Sequence, residues 1–196
     1  MKALPREVMV AIRLTLVVAA VTGLLYPFFV TGVSQLVFPY QSNGSLVKQN
    51  GQVVGSTLIG QSFTSTRYFN GRVSATTPTP YDASASGGSN LAPSNAALQQ
   101  RVKQDVARIR KQDGLGPNAP IPVDLVTSSF SGLDPDVSEA AALIQVNRIA
   151  QARGLQPSKV RALVEQNVQG RVLGLFGDPY VNVLQLNQAL DAGQAR

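Results

Sequence analysis

Two short stretches contain residue types that could perform chemistry, and the first is the run SGGSN at residues 86–90. Small residues in such a run can fold into a nest of backbone N–H groups that binds an anion or a phosphate. The P-loop pattern places a lysine after its second glycine, and no lysine stands in this run. We therefore favour an interaction loop over a phosphate site.

The second stretch is acidic. Asp134, Asp136 and Glu139 lie around the start of a predicted helix. Carboxylates at such a position cap free N–H groups and face the positive end of the helix dipole, so we favour capping over a cation site or an acid–base pair. Asp124 and Asp178 are isolated in the sequence, and no neighbouring residue marks either of them as catalytic.

The composition excludes several classes of function. The 196 residues contain no histidine and no cysteine, which rules out a Ser-His-Asp triad, a Cys-His pair and a zinc site built on His or Cys. Without the N-terminal residues Lys2, Arg6, Glu7 and Arg13, the chain has 14 Lys and Arg residues against 10 Asp and Glu residues. The resulting charge of about +4 is too small to indicate a nucleic-acid partner. We expect a protein that is not an enzyme by itself, with no catalytic residue, no metal site and no nucleic-acid partner.

The element that must position the rest of the chain is an apolar run at residues 14–37. Its roughly 24 uncharged residues, folded as a helix that rises about 1.5 Å per residue, would span the hydrocarbon core of a bilayer. Lys2, Arg6 and Arg13 precede the run, and the next charged residue after it is Lys48. Because positive charge is retained in the cytoplasm, this asymmetry predicts a cytoplasmic N-terminus.

These features predict three parts: a cytoplasmic N-terminus at 1–13, a transmembrane helix at 14–37 and an extracytoplasmic soluble domain at 38–196. A cleaved signal peptide is disfavoured because its apolar region covers only about 7–15 residues and because no A-x-A cleavage site is present. We expect a single-pass protein of the cell (inner) membrane, in contact with lipid. Its main domain would lie on the periplasmic side in a Gram-negative cell.

Four residues, three of them small, recur along one face of the predicted transmembrane helix. Thr15, Ala19, Gly23 and Pro27 stand four residues apart, and small side chains let a second helix approach closely in lipid. Pro27 also removes one backbone hydrogen bond and predicts a kink. The face either docks partner helices or belongs to a plain tether, and the sequence leaves both interpretations open.

The remaining sequence predicts an α+β fold: one N-terminal transmembrane helix followed by a single extracytoplasmic domain with strands in its first half and helices in its second. The Asn50-Gly51 pair predicts a hairpin turn. Residues 76–93 are rich in Ser, Thr, Gly, Pro and Ala, so they form either a linker or an ordered functional loop. The predicted strands lie at 45–49, 52–59 and 120–130, and the predicted helices at 94–112, 138–153, 157–169 and 182–190.

Six segments occur in a fixed order along the chain: STLIGQSF (56–63), YFNGRVSA (68–75), SGGSNLAPSN (86–95), PVDLVTSSFSGLDPDVS (122–138), AALIQVNRIAQARGL (141–155) and GDPYVNVLQLNQAL (177–190). Together with the N-terminal span and the Tyr26-Pro27 pair, they cover nearly the whole chain. This set resembles the C subunit of the Kdp-type potassium-transporting ATPase. Three positions depart from the family pattern, since Val73 replaces a usual Pro, Ala92 a usual Gly and Asp136 a usual His.

The resemblance implies an accessory, non-catalytic subunit of an ATP-driven complex that imports potassium at low external concentrations. The implied partners are a pore-like potassium-binding subunit, a P-type ATPase subunit and, in many bacteria, a very small fourth subunit. Potassium would be handled by the complex. The family is also described as a catalytic chaperone that binds ATP and raises the ATP affinity of the ATPase subunit, and the resemblance links Gln145 with nucleotide contact.

The topology prediction and the chaperone description disagree, because ATP is cytoplasmic and the soluble domain is predicted to lie outside. We therefore favour a subunit that assembles and stabilises the complex, with ATP binding by an inward-facing domain as the alternative. An anchored envelope protein that binds a ligand at residues 76–93 is a third hypothesis. Arg67, Tyr68, Arg72 and Asn90 are predicted interface residues because they lie in or beside the segments of the resemblance.

Overall fold

The structure is a computed structural model that describes residues 5–194. The chain divides into two compact units, Met1–Leu46 and Val47–Arg196. The first unit contains the predicted membrane helix, and the second contains the remaining strands and helices.

The first unit is built on one long apolar helix over Arg6–Val37. Its 32 residues include a window of mean hydropathy 2.3 that has no buried residue, so the helix is long and apolar enough to cross a membrane. It consists of α1 (Arg6–Ala20) and α2 (Tyr26–Val37), and a short helix, α3 (Pro39–Ser42), follows. The predicted N-terminal apolar helix is therefore present.

A π-helical turn at Val21–Leu25 joins α1 to α2. The N–H of Tyr26 bonds to the carbonyl of Val21, five residues back, directly before Pro27. Proline has no N–H and its ring crowds the preceding turn, so the wider turn is the local response to Pro27. An α-helix has 3.6 residues per turn, so residues spaced by four drift around its axis. The π-helical turn contains more residues and reduces this drift, which keeps residues spaced by four closer to one face.

The second unit begins with a two-stranded hairpin of β1 (Leu46–Gln49) and β2 (Gln52–Ser56). Asn50 and Gly51 between the strands have φ values of 51° and 79°, the left-handed backbone that a two-residue hairpin turn requires. The predicted turn is therefore confirmed, although β2 ends at Ser56 and not at residue 59.

Three further strands form a small antiparallel sheet in the order β3-β5-β4. Val181 at its centre faces Val137 on one side and Val168 on the other, and it is fully buried. The sheet and the helices around it enclose the core, in which Phe69, Ile149 and Leu186 have no exposed surface. These elements are β3 (Asp136–Val137), β4 (Val168–Gln169), β5 (Tyr180–Asn182), α4 (Ala96–Asp113), α5 (Glu139–Leu143), α6 (Val146–Arg153), α7 (Pro157–Gln166) and α8 (Val183–Gln194).

The strand predicted at 120–130 is wrong. This segment contains a 3-10 turn at Val123–Leu125 and makes one isolated bridge, between Ser128 and Val73. Pro120 and Pro122 have no N–H to donate to a neighbouring strand. The apolar residues that follow them therefore pack against the core as part of a loop.

The helix predicted at 138–153 is broken between α5 and α6. The N–H of Gln145 bonds to the carbonyl of Ala142, three residues back. The carbonyl of Ala141, which the same N–H would use in a continuous α-helix, instead accepts a hydrogen bond from the Gln145 side-chain amide at 3.0 Å. The break therefore follows from the position of this side chain.

The other helix boundaries differ by a few residues. The helix predicted at 94–112 begins at Ala96, after the cap residue Asn95, and ends at Asp113, because Gly114 adopts the left-handed conformation. The helix predicted at 157–169 ends at Gln166, because the chain turns there into β4. Asn182 caps α8 as predicted, since its side chain accepts from the N–H of Gln185 at 3.1 Å.

Residues 76–93 form a loop held by hydrogen bonds, which favours the ordered loop over the linker. The N–H of Tyr81 donates to the hydroxyl of Ser74 at 2.8 Å, and the N–H of Gly87 donates to the carbonyl of Ser131 at 2.8 Å. The α+β class is confirmed, with an apolar helix first, then strands and then helices.

Candidate functional site

The most extensively hydrogen-bonded side chain in the second unit is that of Arg148 in α6. Its Nε donates to Asp113 at 2.6 Å, and its two terminal nitrogens donate to the carbonyls of Thr66 and Tyr68 and to the side-chain oxygens of Asn70 and Gln145. These bonds use all five N–H groups of the guanidinium. Arg148 therefore joins the end of α4, the start of α6 and the loop around residue 70.

Gln145 lies beside Arg148, and its side-chain amide also forms all its hydrogen bonds within the chain. Its Oε1 accepts from the N–H of Asn70 and from Arg148, both at 2.8 Å, and its Nε2 donates to the carbonyls of Asn70 and Ala141. Gln145 is 1% exposed, and each of its hydrogen-bonding positions is occupied. A nucleotide could contact Gln145 only if one of these bonds opened, so that role stays a prediction.

A second amide side chain pairs with the backbone of Phe69 in the way that Gln145 pairs with the backbone of Asn70. Asn187 of α8 accepts from the N–H of Phe69 at 2.8 Å and donates to the carbonyl of Phe69 at 3.0 Å. The backbones of Phe69 and Asn70 are thus paired by two amide side chains from different helices, in the way that a neighbouring strand would pair them. This pairing places the Phe69 ring in the core.

Asp113 is the only acidic group in direct contact with Arg148 among the described residues. Burial raises the pKa of the Asp113 carboxyl, and the hydrogen bond and charge of Arg148 oppose that shift. The side chains of both residues are about 5% exposed or less, so each charge depends on the other for its solvation. The two charges therefore compensate each other in the interior, and removal of either one would leave the other buried without a partner.

Two of the predicted interface residues, Arg67 and Tyr68, lie next to this interior. The Arg153 guanidinium stands 4.8 Å from the centre of the Tyr68 ring and bonds to the carbonyl of Arg67. The Tyr68 hydroxyl donates to Asp191 at 3.1 Å, and Arg153 pairs with the same carboxylate at 2.8 Å. Arg67 itself is exposed, whereas Tyr68 is half-buried.

Arg72, the third of these residues, lies at a different place, where it forms an ion pair with Asp134 at 2.8 Å. Its carbonyl accepts a hydrogen bond from the Tyr81 hydroxyl. Burial, together with the Asp134 carboxylate, raises the pKa of Tyr81 to about 12. The hydroxyl therefore keeps its proton at neutral pH and holds the loop after Arg72 in place.

Asn90, the fourth, lines a cleft of about 780 Å³ in which the SGGSN loop meets residues 129–135. Gly132 has a φ of 69°, and a Cβ atom there would lie 2.7 Å from the carbonyl oxygen of Gly87, so this close approach requires glycine. The N–H of Gly87 already donates to Ser131. One donor of the hypothetical anion nest is therefore occupied.

The capping role predicted for Asp134 and Asp136 is wrong, whereas Glu139 does lie in the first turn of α5. Ser138 accepts from the N–H of Ala141 at the start of α5, and Asp124 accepts from the N–H of Ser138 at 2.6 Å. Asp124, which is isolated in the sequence, thus completes the cap. Asp136 in β3 instead accepts from the side chain of Asn182 at 2.9 Å.

The four residues of the predicted docking face, three of them small, lie in the long apolar helix. Thr15 and Ala19 belong to α1, Gly23 to the π turn and Pro27 to α2. All four are exposed, and a Cβ atom added at Gly23 would meet no atom within 4 Å. Their contact with partner helices stays a prediction.

No local pattern in the sequence indicates that Asn70, Asp113, Gln145 and Arg148 form one buried cluster. Asp113 stands in a basic helix and Arg148 in a mixed one, so each looks like a residue of a solvated face. Only the fold brings them together, across 35 residues of chain in the case of Asp113 and Arg148.

We expect that Arg148→Met lowers the free energy of unfolding by about 3–5 kcal/mol, because it leaves Asp113 as a buried charge without a partner. Urea unfolding of the full chain in detergent, followed by circular dichroism, measures this loss. The matched control is Arg108→Met, which removes a surface ion pair with Asp105 and should cost only about 0–1 kcal/mol. Equal losses in the two variants would contradict the prediction.

We expect that Asp136→Asn stabilises the chain at neutral pH. Burial and the nearby Asp134 carboxylate raise the pKa of Asp136, whereas the bond from Asn182 opposes the shift. As pH rises, the unfolded chain therefore loses the proton first, and the free energy of unfolding falls until pH passes the folded-state pKa. An asparagine keeps an oxygen for Asn182 and avoids this loss.

Urea unfolding at a series of pH values measures the effect. The advantage of Asp136→Asn should shrink as pH falls and disappear once the carboxyl is protonated in both states. Asp178→Asn is the control, because its side chain is 90% exposed and its removal should change stability by at most about 0.5 kcal/mol. An advantage that grows toward low pH would refute the assignment.

Comparison with known proteins identifies the family. Residues 8–192 match the family described as "KdpC: K+-transporting ATPase, c chain". A protein of Burkholderia orbicola named potassium-transporting ATPase KdpC subunit is 55% identical over 195 residues, which cover 100% of this chain and 99% of that protein. A protein of the same name from Methylobacterium nodulans is 57% identical over 181 residues, which cover 87% of this chain and 89% of that protein. Another, from Sorangium cellulosum, is 53% identical over 184 residues, which cover 94% of this chain and 96% of that protein. The chain therefore belongs to the KdpC family of potassium-transporting ATPase subunits.

Proposed function

We propose that this chain is the accessory, non-catalytic subunit that holds together and couples the ATPase and potassium-binding subunits of a high-affinity potassium import complex. Membership of the KdpC family supports the association with such a complex. The possible small fourth subunit would be a further partner. The chain is anchored in the cell membrane by the helix Arg6–Val37, and its second unit lies outside the cytoplasm.

The observation that carries the proposal is how completely Gln145 and Arg148 are hydrogen-bonded. Both are buried, and every donor and acceptor of their side chains has a partner within the chain. A residue that binds a nucleotide or moves a proton needs a free position for that purpose. These two residues instead fix the shape of a domain, which is what an assembly subunit requires.

The distribution of charge supports the orientation. Basic residues stand on the N-terminal side of the long helix, and no charge follows it before Lys48. When the short segments that flank a transmembrane helix differ in this way, the more basic segment stays in the cytoplasm. A domain placed outside has no access to cytoplasmic ATP, so coupling would pass through contacts with the partner subunits and their transmembrane helices.

The alternative is a catalytic chaperone that binds ATP and raises the ATP affinity of the ATPase subunit. Its supporting observation is the cleft of about 780 Å³ beside the SGGSN loop, which has the size of a small-molecule site. It requires a domain that faces the cytoplasm. The orientation of the domain therefore separates the two hypotheses.

We expect that a chain truncated after Gly44, which keeps the apolar helix but lacks the second unit, abolishes assembly or transport by the complex. Potassium uptake by cells at low external potassium, and the subunit content of the purified complex, measure this loss. A tag on both forms controls for equal amounts in the membrane. Normal uptake by cells that contain only the truncated chain would refute the proposal.

The orientation is tested with one cysteine. Ser84 is exposed in the second unit, and the chain contains no cysteine. We expect that Ser84→Cys reacts with a membrane-impermeant thiol reagent in intact cells, because the domain faces outward. A cysteine at Gln49 of β1 provides a second site in the same unit. Protection of both sites until the membrane is permeabilised would favour the chaperone hypothesis.

A further inference from the structure

Among the described residues of the second unit, four large apolar side chains are exposed close together in a hairpin between β4 and β5. We call it the apolar hairpin and define it as residues 171–178. Its tip has the sequence VLGLF. Val172, Leu173, Leu175 and Phe176 are 66%, 85%, 74% and 64% exposed. Burial of such side chains is favourable, and exposed clusters of them mark binding surfaces in soluble domains.

The apolar hairpin has a fixed conformation. Val172 and Phe176 exchange both backbone hydrogen bonds, at 2.9 and 3.0 Å, and the N–H of Gly174 donates to the carbonyl of Arg171. Leu173 and Gly174 at the tip have φ values of 54° and 73°, a backbone that is unfavourable for leucine. The apolar side chains of the tip therefore extend from a tight, hydrogen-bonded turn.

The hairpin is also anchored rigidly to the core. Its two arms continue into β4 and β5, which pair through Val168 and the fully buried Val181. Every residue from 169 to 180 is exposed, so the hairpin projects from the sheet and does not fold back onto the unit. Such a projection suits insertion into a recess of another surface.

The charges around the hairpin favour a protein over lipid as the other surface. Segments that lie in a membrane interface usually combine apolar residues with several Lys or Arg residues and with tryptophan. Arg171 is the only basic residue of the hairpin, it is paired with Asp178 at 3.1 Å, and the chain contains no tryptophan. The hairpin thus has an apolar tip and an electrically neutral base, with no excess charge to attract anionic lipid.

We infer that the apolar hairpin inserts Leu173 and its neighbours into an apolar recess on another subunit of the same potassium-transporting complex. This inference rests on the proposed role in assembly, because it supplies the contact through which the second unit binds its partners. A few buried apolar side chains at the centre of an interface can provide most of its binding energy. The neutral pair at the base would lie at the rim, where charged residues contribute little.

The test uses the full chain in the complex purified from membranes. Leu173→Cys places the single thiol of the chain at the tip, and a thiol-reactive benzophenone attached there forms covalent adducts with whatever surrounds it on irradiation. Asn118→Cys, at an exposed polar position in a loop of the same unit, is the matched control. We expect an adduct with another subunit, identified by mass spectrometry, in several-fold higher yield from position 173 than from 118.

A second pair of variants tests the energetic contribution. Leu173→Glu places a charge at the tip and should lower co-purification of the chain with the other subunits several-fold, whereas Asn118→Glu should not. Because Leu173 is exposed, its variant should keep the circular dichroism spectrum and the urea midpoint of the parent chain. Undiminished co-purification of Leu173→Glu would overturn the inference.

The outcomes also separate this inference from the proposed function. Adducts with lipid alone, or equal yields at the two positions, in a chain that still co-purifies with the complex would overturn the hairpin contact and leave the assembly role intact. Failure of the parent chain itself to co-purify with any other subunit would overturn the assembly role.

Discussion

The second unit depends on how an irregular segment, residues 66–70, is held against the helices. This segment has no strand beside it, yet Phe69 at its centre must be buried. Arg148, Gln145 and Asn187 supply the missing partners, because together they bond to backbone groups of four residues of the segment. Buried backbone groups without partners would cost more than the burial of one phenylalanine gains.

This arrangement explains the local departures from regular structure. Gln145 can reach the segment because its own helix is interrupted beside it, and its side chain then occupies the carbonyl that the helix leaves free. The buried Asp113 follows from the same requirement, since a buried guanidinium needs a counter-charge. Asn70, Asp113, Gln145 and Arg148 thus form one connected network of hydrogen bonds.

The sequence predicts the structural features that depend on the order of neighbouring residues. The apolar helix, the Asn50-Gly51 turn and the Asn182 cap follow from length, turn chemistry and capping preference, and the structure contains all three. The sheet of β3, β4 and β5 has strands of two or three residues, too short to show alternation. The buried network and the apolar hairpin depend on contacts or exposure that only the folded chain defines, so no local pattern reveals them.

A subunit that acts as proposed, through assembly and not through catalysis, can influence transport only if it binds one conformation of its partners better than another. That requires a surface whose geometry does not adapt freely to each conformation. The saturated network around Arg148 fixes the interior, and the backbone bonds of the apolar hairpin fix a projecting part of the surface. A rigid domain with a shaped apolar projection therefore fits a coupling role better than a flexible domain would, because its contact energy changes when the partner moves.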